Sequence, residues 1–335
     1  MKIITFFSLC IFLSNCWAIN KSVFGIDNRY EVIEYHDQII QEMAKSTLSM
    51  IENSKIQDLM SGNRLAPLSE AGVVIFPRTG LAFPQRVTPC DYVKYYNQPT
   101  LATCSGFIVG PDILVTAGHC IQNDEDCKKY QWVRNYSYNK NGNIQIQASD
   151  IFSCQQIIET KNILPSPIYS KEYYDYMEER RMYGPIPYDP PAPIGYDYTS
   201  TTDFALIKLN RKITDVTPLK IRKKGKIAIG DKLFVIGNPL GLPTKITDNA
   251  QLLSYKSQGL FFSNIDCFKG NSGSVVINLK EKIVEGILVS SGQSFEKDTK
   301  NNCYYIHEYD INDIKNELYL TGVTPINEIF THWFK

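Results

Sequence analysis

The sequence predicts an all-β fold, and three features carry this prediction. Short runs of β-branched and aromatic residues recur along residues 85–317. Glycine and proline turns separate them, as in Ser105-Gly106-Phe107-Ile108-Val109, Gly110-Pro111-Asp112 and Ile113-Leu114-Val115-Thr116. Tyrosine is abundant, with 21 residues, and favours strands or contact surfaces. Many short strands with such turns indicate a sandwich or a barrel, and the pattern continues at residues 204–209, 233–236, 274–277 and 283–289.

The first residues predict export. Met1-Lys2 gives a positive start, residues 3–13 form an apolar run of signal-peptide length, and small residues allow a cut after Ala18. We therefore interpret residues 1–18 as a signal peptide and expect a secreted protein, extracellular or periplasmic. A buried N-terminal helix is the alternative. Leu13-Ser14-Asn15-Cys16 faintly resembles a lipoprotein cleavage site, so lipidation of Cys16 stays open.

The charge balance argues against two classes of partner. The chain has 35 basic and 35 acidic residues, which cancel. Neither nucleic acid nor an anionic membrane is therefore indicated as a partner. No segment after residue 18 is long and apolar enough for stable membrane insertion. The oligomeric state stays open.

Seven cysteines follow the predicted signal peptide, and in an exported chain they are disulfide candidates. None has the C-x-x-C spacing of a structural zinc site, so we expect no metal, and we expect no cofactor. Because the number is odd, one thiol is left over or forms an intermolecular bridge. The seven are Cys90, Cys104, Cys120, Cys127, Cys154, Cys267 and Cys303.

Composition divides the rest of the chain. Residues 19–84 look partly helical and are interpreted as a pro-segment or an N-terminal extension; residues 85–335 form the main domain. Within that domain, residues 165–198 are rich in proline and tyrosine and predict a surface insertion, either a substrate-contact loop or a decoration. Residues 310–320 predict a short C-terminal helix. In the N-terminal region Asp37 is the expected N-cap of a helix. Apolar residues follow at roughly helical spacing until Gly62-Asn63 ends the pattern: Ile39, Ile40, Met43, Leu48, Met50 and Ile51.

A candidate nucleophile lies in Lys269-Gly270-Asn271-Ser272-Gly273-Ser274. Glycines on both sides of Ser272 permit a sharp turn that aims the N–H groups of Gly270 and Ser272 at one carbonyl oxygen. Such an oxyanion hole stabilises the charge that develops during acyl transfer by about 3–4 kcal/mol per donor. Alone, the motif is weak, because most such runs are ordinary turns.

A serine nucleophile needs a histidine base and a carboxylate that orients it. His119 follows a strand in Leu114-Val115-Thr116-Ala117-Gly118-His119-Cys120, and a Cys104–Cys120 disulfide would hold its turn on the preceding strand. Asp203 opens an apolar strand in Thr202-Asp203-Phe204-Ala205-Leu206-Ile207. The chain order is therefore histidine, aspartate, serine.

These three blocks resemble the signatures of trypsin-like serine peptidases, which share this chain order. The serine block, Gly237-Asn238-Pro239 and residues 284–289 look most like the bacterial branch that includes the glutamyl endopeptidases. The resemblance covers residues 103–292. It implies two perpendicular six-stranded β-barrels, with His119 and Asp203 from the first and Ser272 from the second. Val275 stands where this family usually has proline.

The resemblance implies a serine endopeptidase that cleaves protein or peptide substrates through an acyl-enzyme. Two other functions compete with it. One is a protease-like binding or adhesion module that no longer cleaves, although this chain keeps all three triad residues. The other is an exported esterase, against which the chain order and the missing Gly-x-Ser-x-Gly motif argue.

The same resemblance suggests a specificity pocket formed by Asp266, Val289, Ser290 and Gly292. Asp266 lies six residues before Ser272, where trypsin-like enzymes place the carboxylate that binds Lys or Arg. A glutamate preference is the alternative, with Lys269 or His307 supplying the positive group.

Further expectations concern disulfides and activation. We expect Cys267 to bond Cys303 beside the pocket and Cys127 to bond Cys154, which leaves Cys90 over. Asn271 replaces the aspartate that pairs with the new N-terminus in activated trypsin-like zymogens. Removal of a pro-segment should therefore unblock the cleft rather than form that ion pair.

Overall fold

A computed structural model describes residues 23–75, 85–184, 193–198, 200–256, 259–289, 295–310 and 320–330. The predicted signal peptide lies outside the described residues. Strands dominate the described part of the chain. They are β1 (Val23–Phe24), β2 (Arg29–Glu31), β3 (Thr47–Glu52), β4 (Val73–Ile75), β5 (Gln85–Val87), β6 (Ala102–Gly110), β7 (Ile113–Thr116), β8 (Tyr130–Val133), β9 (Ile151–Ile163), β10 (Ser166–Ile168), β11 (Gly195–Asp197), β12 (Thr202–Leu209), β13 (Lys232–Gly237), β14 (Lys245–Lys256), β15 (Leu260–Ser263), β16 (Val275–Asn278), β17 (Val284–Leu288), β18 (Phe295–Asp298), β19 (Cys303–Ile306), β20 (Glu308–Tyr309) and β21 (Thr321–Pro325).

The helices of the described residues are short, and all but the last lie between strands. The longest, in the predicted insertion, begins at Lys171, and a hydrogen-bonded N-cap at Asp37 starts the first, as predicted. They are α1 (Gln38–Ala44), α2 (Asn53–Ser61), α3 (Leu68–Ala71), α4 (Asp124–Lys129), α5 (Lys171–Tyr183) and α6 (Ile326–Ile329).

The first barrel is closed and has the strand order β12-β7-β6-β3-β8-β9. Every neighbouring pair is antiparallel. Large apolar side chains fill its interior, including Phe107, Leu114, Trp132 and Phe204. Closure removes the unpaired edges that would otherwise expose backbone hydrogen-bonding groups.

The second barrel has the order β13-β16-β17-β21-β15-β14 and closes through the pairing of β13 with β14. The short strand β2 adds to it by pairing with β14. Two closed six-stranded antiparallel barrels confirm the predicted all-β fold class.

The predicted boundary between residues 84 and 85 does not fit this topology. Strand β3 belongs to the first barrel, where it pairs with both β6 and β8, so residues 47–52 are an integral part of the main domain. Leu48, Met50 and Ile51 are in this strand, and the helical interpretation of them was wrong. The strand is buried on both faces, so the period-two alternation that marks a half-buried strand is missing.

The predicted insertion has structure of its own. Strands β10 and β11 form an antiparallel pair, and α5 ends at Tyr183 with Gly184 as its C-cap. Residues 185–192 and 199 lie outside the described part, as does most of the helix predicted at residues 310–320. A different short helix, α6, lies near the C-terminus.

Three disulfides join described residues. Cys104–Cys120 and Cys127–Cys154 are bonded as predicted. The expected Cys267–Cys303 pair is wrong, because Cys303 bonds Cys90, and Cys267 is buried in the second barrel. This third disulfide spans 213 residues of sequence and fixes β19 to the segment that precedes β6.

Candidate active site

The imidazole of His119 lies against the carboxylate of Asp203. Nδ1 of His119 is 2.6 Å from Oδ2 of Asp203, and the backbone N–H of His119 donates to Oδ1 of the same carboxylate over 3.0 Å. A proton on Nδ1 satisfies this contact and leaves Nε2 as the acceptor nitrogen. The arrangement is that of a base held in one tautomer by a carboxylate.

The local sequence explains how these two residues meet. Strand β12 pairs with β7, and His119 follows β7 in a tight turn. A side chain at Gly118 would lie 1.9 Å from the carbonyl oxygen of Lys161, so only glycine lets the turn approach β9 this closely. Thr324 donates its hydroxyl to the carbonyl oxygen of Asp203 over 3.0 Å, which ties this strand to the second barrel.

The two groups differ in solvent contact. The side chain of Asp203 is 6% exposed and that of His119 is 28% exposed. Burial lowers the pKa of the His119 imidazole, but the charge of Asp203 and its hydrogen bond outweigh burial, so the pKa is raised above the ordinary value. The carboxylate therefore favours the imidazolium form, as a general base that takes up a proton requires.

Ser272 is held beside the turn that carries His119. Its carbonyl oxygen accepts the backbone N–H of Ser105 over 2.8 Å and lies 3.9 Å from Sγ of Cys120, the neighbour of His119. A side chain at Gly273, whose φ is +84°, would lie 2.0 Å from the carbonyl oxygen of Ser105. The glycine after the serine is thus required by a close approach of the two barrels.

Hydrogen bonds to the neighbouring carbonyls fix the orientation of the peptides around Ser272. The carbonyl of Lys269 accepts from Leu240 N–H over 2.6 Å, and that of Asn271 accepts from Ser274 N–H over 2.8 Å. In a trans peptide the N–H points away from the C=O, so the N–H groups of Gly270 and Ser272 point away from these partners. Among the described residues neither N–H has an internal acceptor, which leaves both available to a ligand.

Asp266 lies beneath the N-terminal segment. Its side chain is only 2% exposed, and Oδ1 accepts the backbone N–H of Phe24 over 2.8 Å. Burial raises the pKa of this carboxyl to about 8. In this arrangement the group is covered and largely neutral at pH 7, so it offers no accessible charge to a substrate cation.

The other predicted pocket residues are only partly described. Val289 is buried and its N–H donates to Gly322 over 3.2 Å. Ser290 and Gly292 lie outside the described residues. His307, the alternative positive group, has its Nδ1 3.0 Å from a carboxylate oxygen of Glu296.

Two contributors to the site carry no motif in the sequence. Arg29 is fully buried, forms a bidentate pair with Asp27 and lies 4.2 Å above the ring of Phe268, four residues before Ser272. Ser105 contacts the Ser272 loop through both its backbone and its hydroxyl. The sequence gives no signal for either residue. An Arg-Tyr-Glu run is too common to stand out, and so is a serine that follows a cysteine.

Comparison with known families agrees with this geometry. The model of the trypsin-like peptidase domain matches residues 104–287, more than half of the chain. The chain belongs to the trypsin-like peptidase domain family. The match begins at Cys104 and includes His119, Asp203 and Ser272.

Curated relatives of this peptidase domain match over short stretches. The "Probable periplasmic serine endoprotease DegP-like" of Buchnera aphidicola subsp. Baizongia pistaciae (strain Bp) is 31% identical over 90 residues, which cover 24% of this chain and 19% of that protein. The "Extracellular metalloprotease" of Bacillus subtilis (strain 168) is 41% identical over 44 residues, 13% of this chain and 14% of that protein. The matches thus span less than a fifth of either relative.

Solved peptidases are similar over most of the chain at low identity. The Vibrio cholerae VesB protease covers 92% of this chain and 66% of its own, with a TM-score of 0.46 and 11% identity. A Glu endopeptidase in complex with MPD covers 93% and 97%, with a TM-score of 0.43 and 14% identity. The fold assignment rests on the strand topology described above.

Two groups of side chains in the described residues have metal-ligand spacing. They are Cys104 with His119 and Cys120, and Cys90 with Asp298 and Cys303. Both cysteines of each group are joined by a disulfide, so neither group offers the thiolates that a metal binds. In the described part of the chain no helix is long and apolar enough to cross a bilayer.

Proposed function

We propose that the protein is a serine endopeptidase that uses His119, Asp203 and Ser272 as its catalytic triad. The 2.6 Å contact between Nδ1 of His119 and Oδ2 of Asp203 is the observation that carries the proposal. A buried carboxylate that orients a partly exposed imidazole is what a base next to a serine nucleophile requires. Membership of the trypsin-like peptidase family supports the same function.

In the proposed reaction, Oγ of Ser272 attacks the scissile carbonyl carbon while Nε2 of His119 takes the hydroxyl proton. The N–H groups of Gly270 and Ser272 stabilise the resulting oxyanion. The C–N bond then breaks, and the departing amine receives the proton from His119. Water hydrolyses the ester on Ser272 by the same steps, with His119 again as base, and restores the free enzyme.

We also propose that the protein acts outside the cytoplasm on protein or peptide substrates. Three disulfides between described residues support an oxidising compartment, in agreement with the predicted signal peptide. Any activating cleavage should lie before residue 47, because β3 is part of the first barrel.

A preference for Lys or Arg was expected from Asp266 alone. Phe24 covers this carboxylate, and its raised pKa removes most of the charge at neutral pH. While Phe24 stays in place that preference has no basis, and we propose that the specificity of a chain that retains Phe24 does not depend on Asp266. Profiling on a mixed peptide library tests this: Asp266→Asn should leave the residue preference unchanged.

The test of the proposed function compares the wild-type protein with Ser272→Ala and Ser274→Ala. A fluorophosphonate should label the wild type on Ser272, as identified by peptide mass mapping, and the wild type should cleave casein. Ser272→Ala should lose both activities at an unchanged melting temperature, while Ser274→Ala keeps the labelling. Casein cleavage by Ser272→Ala, or labelling of another residue, would refute the triad. Hydrolysis of esters without cleavage of peptides would favour an esterase. Absence of both activities would favour a binding module.

A further inference from the structure

Ser105 holds the Ser272 loop from the opposite barrel. It lies in β6 of the first barrel, next to the disulfide-bonded Cys104, and is 1% exposed. Its backbone N–H donates to the carbonyl of Ser272 over 2.8 Å, and its hydroxyl donates to the carbonyl of Gly270 over 2.9 Å. One residue thus fixes two carbonyls of the loop.

The direction of the hydroxyl proton follows from its neighbours. Oγ of Ser105 accepts the backbone N–H of Asn238 over 2.9 Å and has one proton to give. Two acceptors are within reach, the carbonyl of Gly270 at 2.9 Å and Oδ1 of Asn238 at 3.2 Å. Oδ1 of Asn238 already accepts the hydroxyl of Ser49 over 2.9 Å. The carbonyl of Gly270 is the nearer of the two acceptors and has no other donor among the hydrogen bonds of the described residues, so the proton of Ser105 points to Gly270.

The bond to Gly270 acts on the peptide between the two proposed oxyanion donors. The carbonyl of Gly270 belongs to the 270–271 peptide, whose N–H is bound to the carbonyl of Phe268 over 3.1 Å. This peptide is held at both ends, and the donor amides of Gly270 and Ser272 flank it. A rotation of this middle peptide would turn both donors.

The backbone of β13 packs closely against the hydroxyl of Ser105. A side chain at Gly237 would lie 2.9 Å from Oγ of Ser105 and 1.8 Å from Oγ of Ser274, so the backbone of β13 closes over the hydroxyl. Removal of the hydroxyl would leave the Gly270 carbonyl and the Asn238 N–H unpaired in a buried site, which is unfavourable. The loop would relieve this by changing its orientation.

We propose that Ser105 is a positioning residue for catalysis: its hydroxyl, bound to the Gly270 carbonyl, sets the orientation of the oxyanion-hole amides. This inference rests on the proposed function of Ser272. It assigns the side chain of Ser105 to the reaction although the side chain does not touch the reacting atoms.

The experiment compares Ser105→Ala and Ser105→Cys with Ser263→Ala. Ser263 is the matched control, because its hydroxyl is also fully buried and donates to a backbone carbonyl, that of Gln251, over 2.8 Å, but in β15 away from the loop. We expect kcat on a peptide ester to fall roughly tenfold or more in Ser105→Ala, with KM within about threefold, since small displacements of catalytic donors are costly. Binding of a peptide aldehyde, whose adduct carries the oxyanion, should weaken by a similar factor.

Ser263→Ala should lower the melting temperature to a similar extent but keep kcat within about threefold of wild type. Ser105→Cys replaces the hydroxyl by a slightly larger and weaker donor at the same position, so it should show an intermediate kcat. Full kcat in Ser105→Cys, or equal losses of kcat in Ser105→Ala and Ser263→Ala, would overturn the proposal. Fluorophosphonate labelling of Ser272 in the wild type separates failure of this inference from failure of the proposed function.

Discussion

The backbone N–H of Phe24 donates to Oδ1 of Asp266 over 2.8 Å and so joins residues that are 242 positions apart. The second carboxylate oxygen, Oδ2, is buried and has no hydrogen-bond partner among the described residues. A charged carboxylate in such a place is costly, so the folded state favours the protonated form. The N-terminal segment is therefore linked to the segment between β15 and β16 through a group that titrates.

This linkage predicts how stability depends on pH. The pKa of Asp266 is raised to about 8 in the folded state, against an ordinary value near 4 in the unfolded state. Between these values the folded state holds one more proton, so the free energy of unfolding falls as pH rises, by up to about 1.4 kcal/mol per pH unit. Asp266→Asn, which is neutral at every pH, should flatten this fall in urea unfolding at pH 5, 6, 7 and 8.

Asp248→Asn is the control for this experiment, because Asp248 is an acceptor in the same barrel, bound to the hydroxyl of Tyr35 over 2.9 Å. It should retain the wild-type slope. An Asp266→Asn variant with the wild-type slope would show that Asp266 ionises normally in the folded state.

The contact between His119 and Asp203 predicts the pH dependence of turnover. As the proposed base, His119 must be neutral, and Asp203 raises its pKa, so kcat/KM should rise with pH through a midpoint above 6.5. In Asp203→Asn the stabilising charge is gone while burial remains, so the midpoint should move to lower pH. The maximal rate should fall by about four orders of magnitude, because the amide no longer favours the required tautomer. A pH–rate profile with an unchanged midpoint would contradict the role of Asp203.

Substitution of Arg29 should have a large effect on the free energy of unfolding, although Arg29 is far from Ser272 in sequence. Its guanidinium is fully buried, paired with Asp27 and stacked on Phe268. Arg29→Leu should lower the free energy of unfolding by about 3–5 kcal/mol, since it leaves the carboxylate of Asp27 without its partner. Arg211, an exposed arginine over the ring of Phe152 that donates to the carbonyls of Ile151 and Ser149, is the control. Arg211→Leu should cost clearly less than Arg29→Leu, because its partners are reached by water and it leaves no buried charge unpaired. Equal losses measured by urea unfolding would disprove the buried-pair explanation.

The position of β3 predicts the result of truncation. A chain that starts at Gln85 lacks β3, leaves β6 and β8 without their shared neighbour and opens the first barrel. We expect it to be unfolded by circular dichroism and inactive on casein. A chain that starts at Val23 keeps all described strands and should fold. A folded, active chain from Gln85 would restore the interpretation of residues 19–84 as a removable segment.

Local signals explain what could be predicted from the sequence. The turn with His119 and the strand with Asp203 are defined by neighbouring residues, and the disulfides of Cys120 and Cys127 span only 16 and 27 residues. The turn, the strand and the Cys104–Cys120 pair could be predicted from their own short segments, whereas Cys127–Cys154 was expected only as a remaining pair.

The errors all concern distant parts of the chain. Cys303 bonds a cysteine 213 residues away, and Ser105 meets Gly270 over a separation of 165. Strand β3 carries apolar residues on both faces because each face meets a different core cluster, which gave it a misleading helical spacing. Such partners are set by the tertiary fold, and one sequence holds no local trace of them.

The pairing of β1 with β20 and of β2 with β14 has a consequence for the order of folding. Both strands are synthesised first, yet their partners lie beyond residues 244 and 307. Contacts between such distant segments form slowly, because a long loop must close before any contact compensates for the lost entropy. We therefore expect the N-terminal strands to dock last, after both barrels have closed, as a slow phase in refolding.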